Sequence, residues 1–182
     1  MATIEVQDAA GALFSGPLPV KSAGGDDSIV PYQHDNDIAY DESKTVHVTG
    51  NELGDVRGTK NLRMAAEKYV EEFAKKIVKI ESTGKSVYLS KRGIIHTLRM
   101  NRNEDAILAI TVLPELLRRS VKISCEAYEG NSVGIRSVER YQASVCVRGK
   151  KYIAEMIIRV LDDGSKIGTD MVFYHQKLKG RH

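Results

Sequence analysis

The spacing of apolar positions changes along this chain, and the changes predict where helices give way to strands. From Thr59 to Ile77, Leu62, Ala65, Ala66, Tyr69, Val70, Phe73 and Ile77 recur every three or four residues. That spacing predicts one amphipathic helix, capped by Thr59, with an apolar stripe against a core. Val78 to Glu81 and Lys85 to Leu89 flank a Thr83-Gly84 turn and read as a small hairpin or two short strands. A short helix is expected over SKRGIIHTLRM (Ser90 to Met100), with Ser90 as cap and Ile94, Ile95 and Leu98 as its anchoring side. The nearly unbroken apolar run Ala106 to Val112 reads as a buried helix, and Pro114 starts another that ends near Ser120.

From Val121 the period becomes two. VKISCEAY, VERYQASVCV, KKYIAEMIIRV and TDMVFYHQKL alternate polar and apolar residues between turns at 129–131, 148–150 and 162–165, which predicts an antiparallel meander. Upstream, TVHVT (Thr45 to Thr49) reads as a strand with His47 on its surface, and Ser15 to Asp41 as a Pro- and Gly-broken loop. Thr3 to Val6 is a further short strand candidate. The expected architecture is α+β: N-terminal helices packed on a four-stranded antiparallel sheet, whose other face carries Lys, Arg, Tyr and His. Residues 1–44 form a loop-rich arm and 45–182 the domain.

Composition adds little until it is divided along the chain. At 182 residues, 42% hydrophobic and 28% charged, the chain is long enough for one core. No apolar run approaches the roughly 18 residues a membrane helix needs. The N-terminal residues carry acids rather than a basic and then apolar stretch, so no secretory signal is expected and the location is read as cytoplasmic. Cys125 and Cys146 lack metal-ligand spacing and are expected to be reduced and buried. The net charge of +3 separates into −8 over residues 1–55 and +11 over 56–182. A basic body favours an anionic partner, most commonly nucleic acid. The acidic arm is either a solvated tail or an intramolecular mask over that basic surface.

The candidate chemistry centres on His96. Lys91, Arg92, Arg99 and Arg102 surround it in sequence, and 91–102 contains no acid. An imidazole among fixed cations suits proton transfer at a phosphate. The competing reading is a structural histidine on a solvated helix.

LSKRGIIHTL, the helix ending LPELLRRSV, ERYQASVCVRGKKYIAEMIIRV and YHQKL, taken in this order, resemble the phage-associated BECR-like (barnase, EndoU, colicin and RelE-like) nucleases of polyvalent proteins and toxin C-termini. The resemblance covers about Thr45 to Leu178. It implies helices followed by a four-stranded antiparallel sheet. It also implies metal-independent RNA cleavage without a cofactor, the 2′-hydroxyl attacking the adjacent phosphate. Carried over by motif, the implied catalytic residues are His96, Arg140, Tyr141, Tyr174 and His175, with Lys91, Arg92, Arg99 and Arg102 binding RNA, host RNA included. Where the family has Tyr, acid, His before Lys-Leu, this chain has Tyr174-His175-Gln176, so either a bulge redirects His175 or Gln176 takes the family position. The alternatives are a non-catalytic nucleic-acid-binding module and a phage structural or host-interaction protein. A protein partner or inhibitor is left open, and a membrane partner is not expected.

Overall fold

The computed structural model describes residues 37–175, with side chains as far as Lys166. The Thr3 to Val6 strand, the rest of the arm before residue 37, and Gln176 lie outside the described residues. Among the described residues a 3-10 turn at Glu42–Lys44 is followed by seven strands and four α-helices in the order β1 (Val46–Val48), α1 (Thr59–Val70), β2 (Ile77–Lys79), β3 (Ser86–Leu89), α2 (Lys91–Met100), α3 (Glu104–Ile110), α4 (Leu113–Arg119), β4 (Val121–Ala127), β5 (Ile135–Val147), β6 (Lys150–Leu161) and β7 (Lys166–His175).

The mixed α+β character and the antiparallel meander β4-β5-β6-β7 agree with the sequence reading. The sheet itself does not stop at four strands and is not purely antiparallel. β3 pairs parallel to β7 and carries β2 outside it, while β1 pairs parallel to β5 and shares that strand's outer edge with β4. The reason is length: β5 has 13 residues, so β4 covers its first half and leaves 145–147 open to β1.

The helices cover one sheet face. Tyr141, Ala143, Val145 and Val147 of β5, with Tyr152, Ala154, Met156 and Ile158 of β6, share a buried cluster with Leu62, Leu98, Ile107 and Leu116 of the helices. The apolar alternation in β5 and β6 therefore marks the inner side. In α3 Ala106 to Ile110 are buried, as the apolar run predicts, and the helix also takes in Glu104 and the buried Asp105 ahead of that run. In α4, Leu113, Leu116 and Leu117 pack inward as expected.

α1 is shorter than the periodicity suggests, and Ile77 is not on its stripe. The helix ends at Val70, Lys75 turns the chain at φ 67°, and the Lys75 amide already donates to the Leu89 carbonyl at 2.8 Å. Pairing with β3 outweighs continuation of the helix, and Ile77 is left 71% exposed on the outermost strand. The cap also differs, because Gly58 occupies that position and Thr59 lies inside the helix. The cysteines are another correction: Cys125 is exposed on β4 and Cys146 half-buried on β5, both as free thiols. β4 has a solvent-exposed side that its alternating sequence does not reveal.

Candidate nucleic-acid interface

Helix α2 is built as its sequence predicts. Ser90 Oγ accepts from the Gly93 amide at 3.3 Å, and Gly93, Ile94, Thr97 and Leu98 are buried while Ile95 is half-buried. Seating the apolar side against the sheet and α1 forces Arg92, His96, Arg99 and Met100 outward. Arg102 is exposed just beyond the helix. Truncating the cap, Ser90→Ala, is expected to lower stability by about 1 kcal/mol in urea denaturation.

The seam between α2 and α1 carries complementary charge. Lys91 pairs with Glu71, Arg99 Nε lies 3.4 Å from Glu67 Oε1, and Arg63 Nη2 donates to the Asn101 carbonyl at 2.8 Å. Those surface pairs are worth little individually and leave Arg99 68% exposed. Lys91 and Arg99 are thus engaged with acids of α1, while the helix itself presents no carboxylate of its own.

Of the residues implied to be catalytic, the three whose side chains are described, His96, Arg140 and Tyr141, do not meet. His96 lies on the outer surface of the helix layer. Tyr141 is fully buried beneath that layer, and its hydroxyl donates to Glu139 Oε2 at 2.9 Å. Burial, then the hydrogen bond and charge of Glu139, raise the Tyr141 hydroxyl pKa, so it remains a donor. Arg140, the next residue on the strand, faces the reverse side of the sheet, where its Nη1 donates to Glu155 Oε1 at 2.9 Å. In register, Arg140 stands opposite Ile157, Tyr174 opposite Ile153 and His175 opposite Tyr152. Five residues of β6 therefore separate the levels of Arg140 and His175, about 16 Å of strand. β7 contains an irregularity, but it falls between Gly168 and Asp170.

The reverse face is not the open surface of Lys, Arg, Tyr and His that the alternation suggests. It carries Arg140, Gln142 and Ser144 from β5 beside Ile153, Glu155, Ile157 and Arg159 from β6, and all of these except Arg140 are buried. Gln142 Nε2 donates to Glu155 Oε2 at 2.8 Å, which joins Arg140, Glu155 and Gln142 into one polar row. Sequence reasoning missed Glu155, Gln142 and Arg159. The available signal was their place at every second position of two otherwise apolar strands, where a polar side chain needs a buried partner.

Two further buried carboxylates lie on the helix side. Glu139 accepts from Lys122 at 2.8 Å, from Tyr141 and from Lys166. Asp105 accepts from Tyr152 and from Arg148, with Lys150 3.7 Å away. Burial alone would raise both carboxyl pKa values. The hydrogen bonds outweigh it, from Lys122, Lys166 and Tyr141 at Glu139 and from Tyr152 and Arg148 at Asp105, and both acids are held below the usual range. Among the described residues no group of three or more His, Cys, Asp and Glu is placed to hold a metal, and no helix is long and apolar enough to cross a membrane.

A family model described as large polyvalent protein-associated domain 3 matches residues 57–171. The chain belongs to this family. No curated protein and no solved structure matches it. The matched residues of this polyvalent protein-associated domain run from just before α1 into β7, so they contain His96, Arg140, Tyr141, Glu139 and Glu155. Tyr174 and His175 lie past their end. β1 and the segment before it precede their start, although both pack on the domain's sheet.

Proposed function

We propose that this domain binds RNA through the outer face of α2, with Arg92, Arg99 and Arg102 meeting phosphates and His96 lying among them. The observation that carries the reading is the acid-free exposed side of a helix whose other side is locked into the core. Anchoring fixes the positions of the cations, so part of the ordering cost of binding is met by the fold. The weak pairs to Glu67 and Glu71 can exchange for phosphate, and a polyanion gains affinity by counterion release.

About three phosphate contacts give an expected slope of roughly −2 in a plot of log affinity against log salt for single-stranded RNA. The combined variant Arg92→Ala, Arg99→Ala, Arg102→Ala is expected to flatten that slope toward zero. Lys79→Ala with Lys85→Ala, both exposed on the β2–β3 hairpin, should leave it close to the wild type. Equal slopes for both variants would end the α2 assignment.

A ribonuclease of the BECR-like type is the second reading, favoured by the Arg140–Glu155 pair. In that chemistry the half-buried Arg140, oriented by the fully buried Glu155, would hold the phosphate, while a general base takes the 2′-hydroxyl proton and the 5′-oxygen leaves with a proton from a second donor. His96 lies on the other side of the sheet from this pair and cannot be that donor in the arrangement described. Incubation of labelled RNA in EDTA, with a search for 2′,3′-cyclic phosphate ends, separates the readings. Binding without cleavage supports the first; cleavage lost in Glu155→Gln but kept in His96→Ala supports the second.

A further inference from the structure

Residues 37–42 pack against the reverse face of the sheet rather than over α2, and side chains of the sheet hold their backbone. The Ile38 amide donates to Gln142 Oε1 at 3.0 Å and the Asp41 amide to Ser144 Oγ at 2.9 Å, while Gln142 Nε2 also donates to Asp37 Oδ1 at 2.8 Å. Gln142 is 1% exposed and Ser144 3%. Lys151 on the neighbouring strand pairs with Glu42 and lies 5.1 Å from the centre of the Tyr40 ring. Immediately afterwards, Val46–Val48 adds to the edge of β5 as a parallel strand. The sheet thus contacts this segment in two ways, through backbone pairing at its edge and through side chains on its face.

Three features make this a recognition site rather than an ordinary chain crossing. Buried Gln142 has partners at both ends of its amide only while the segment is present, because its oxygen accepts from Ile38. Side chains of the segment meet the sheet at Asp37 with Gln142, at Glu42 with Lys151 and at the Tyr40 ring beside the Lys151 ammonium, while Ile38 and Asp41 are held by their backbone amides. The segment also lies before the family-matched residues and is joined to them by 49–58, where Gly50, Gly54 and Gly58 all have positive φ.

We propose that the reverse face and outer edge of β5 form a docking site for an acidic peptide, filled in this chain by its own residues 37–48, in which a single 3-10 turn at Glu42–Lys44 joins the face contacts to the edge strand, and able to take the same segment from solution. The inference is independent of RNA binding by α2, whereas it shares Gln142 with the Arg140–Glu155 row.

The test uses the full chain carrying Ile38→Pro and Asp41→Pro, which removes both amide donors and leaves every slot residue intact. A fluorescent peptide of residues 37–48 is titrated into it and into the wild type. Saturable binding to the variant is expected, at least roughly tenfold tighter than to the wild type, whose own segment competes. A peptide with the same two prolines should bind the variant at least roughly tenfold more weakly than the native peptide. Hydrogen exchange adds a second measurement: slow exchange at Ile38 and Asp41 in the wild type, with Ile38 accelerated in Gln142→Leu while β5–β6 amides stay protected. No binding to the variant, equal binding of the two peptides, or fast exchange at both amides in the wild type would each overturn the proposal.

Discussion

Glu139→Gln is expected to lower the unfolding free energy by about 3 kcal/mol, with the urea midpoint falling and the m-value unchanged. The amide keeps the volume but leaves the Lys166 ammonium, whose side chain is 12% exposed, beside a fully buried tyrosine hydroxyl with no anion between them. Lys122, with 36% of its side chain exposed, can turn to water and contributes less to the loss. Tyr141→Phe, which removes one hydrogen bond and leaves both lysine pairs in place, should cost only about 1 kcal/mol. The pH dependence has a definite sign. Because the folded-state pKa of Glu139 is lowered, its contribution is present above the unfolded value of about 4.3 and is lost as pH falls through the lower folded value. The gap between wild type and Glu139→Gln should therefore be widest near neutrality and close in acid. A gap below about 1 kcal/mol at neutral pH would mean that the two lysines are solvated independently of Glu139.

Asp105→Ala is expected to cost about 2–4 kcal/mol, measured in the same way. Asp105 lies in the first turn of α3, and the capping Asn103 Oδ1 accepts from its amide at 2.9 Å. Its carboxylate then ties the helix to the β5–β6 turn through Tyr152 and Arg148. Arg148 and Lys150 keep much of their side chains in water, so most of the loss comes from the buried Tyr152 hydroxyl and the unanchored turn. That turn is unusual in its sequence. Arg148 and Gly149 have φ values of 50° and 79°, the left-handed pair that a two-residue hairpin needs, and Asn or Asp is the usual first residue. The Arg148 side chain supplies an offset by bonding Asp105, while its amide donates to the Val48 carbonyl at 2.9 Å and so secures the end of β1. Asp105→Asn, which can still accept from Tyr152, should recover part of the loss.

The three buried carboxylates show where sequence reasoning stopped. Glu139 and Glu155 lie within segments that their alternation identifies as strands, and Asp105 lies just before the apolar run that marks α3. Each is neutralised by residues distant in sequence: Arg148 for Asp105, Lys166 for Glu139 and Arg140 for Glu155. The same limit applies to Arg140 and Tyr141. Alternation places them on opposite faces, but only packing tells which face meets the helices, and it is Tyr141 that enters the core.

Local pattern alone determined the antiparallel meander, the capped α2 with Ile94 and Leu98 inward and His96 outward, the buried α3 and the proline-started α4. These depend on periods, caps and turns that neighbouring residues specify among themselves. Tertiary structure decided the parallel pairings of β1 and β3, the early end of α1 and the exposure of Cys125. It also decided the docking of residues 37–42 on the reverse face and the separation of His96 from Arg140. Each of these depends on backbone edges or buried partners brought together from far along the chain, and a hydrophobic period carries no information about which distant edge or charge will be met.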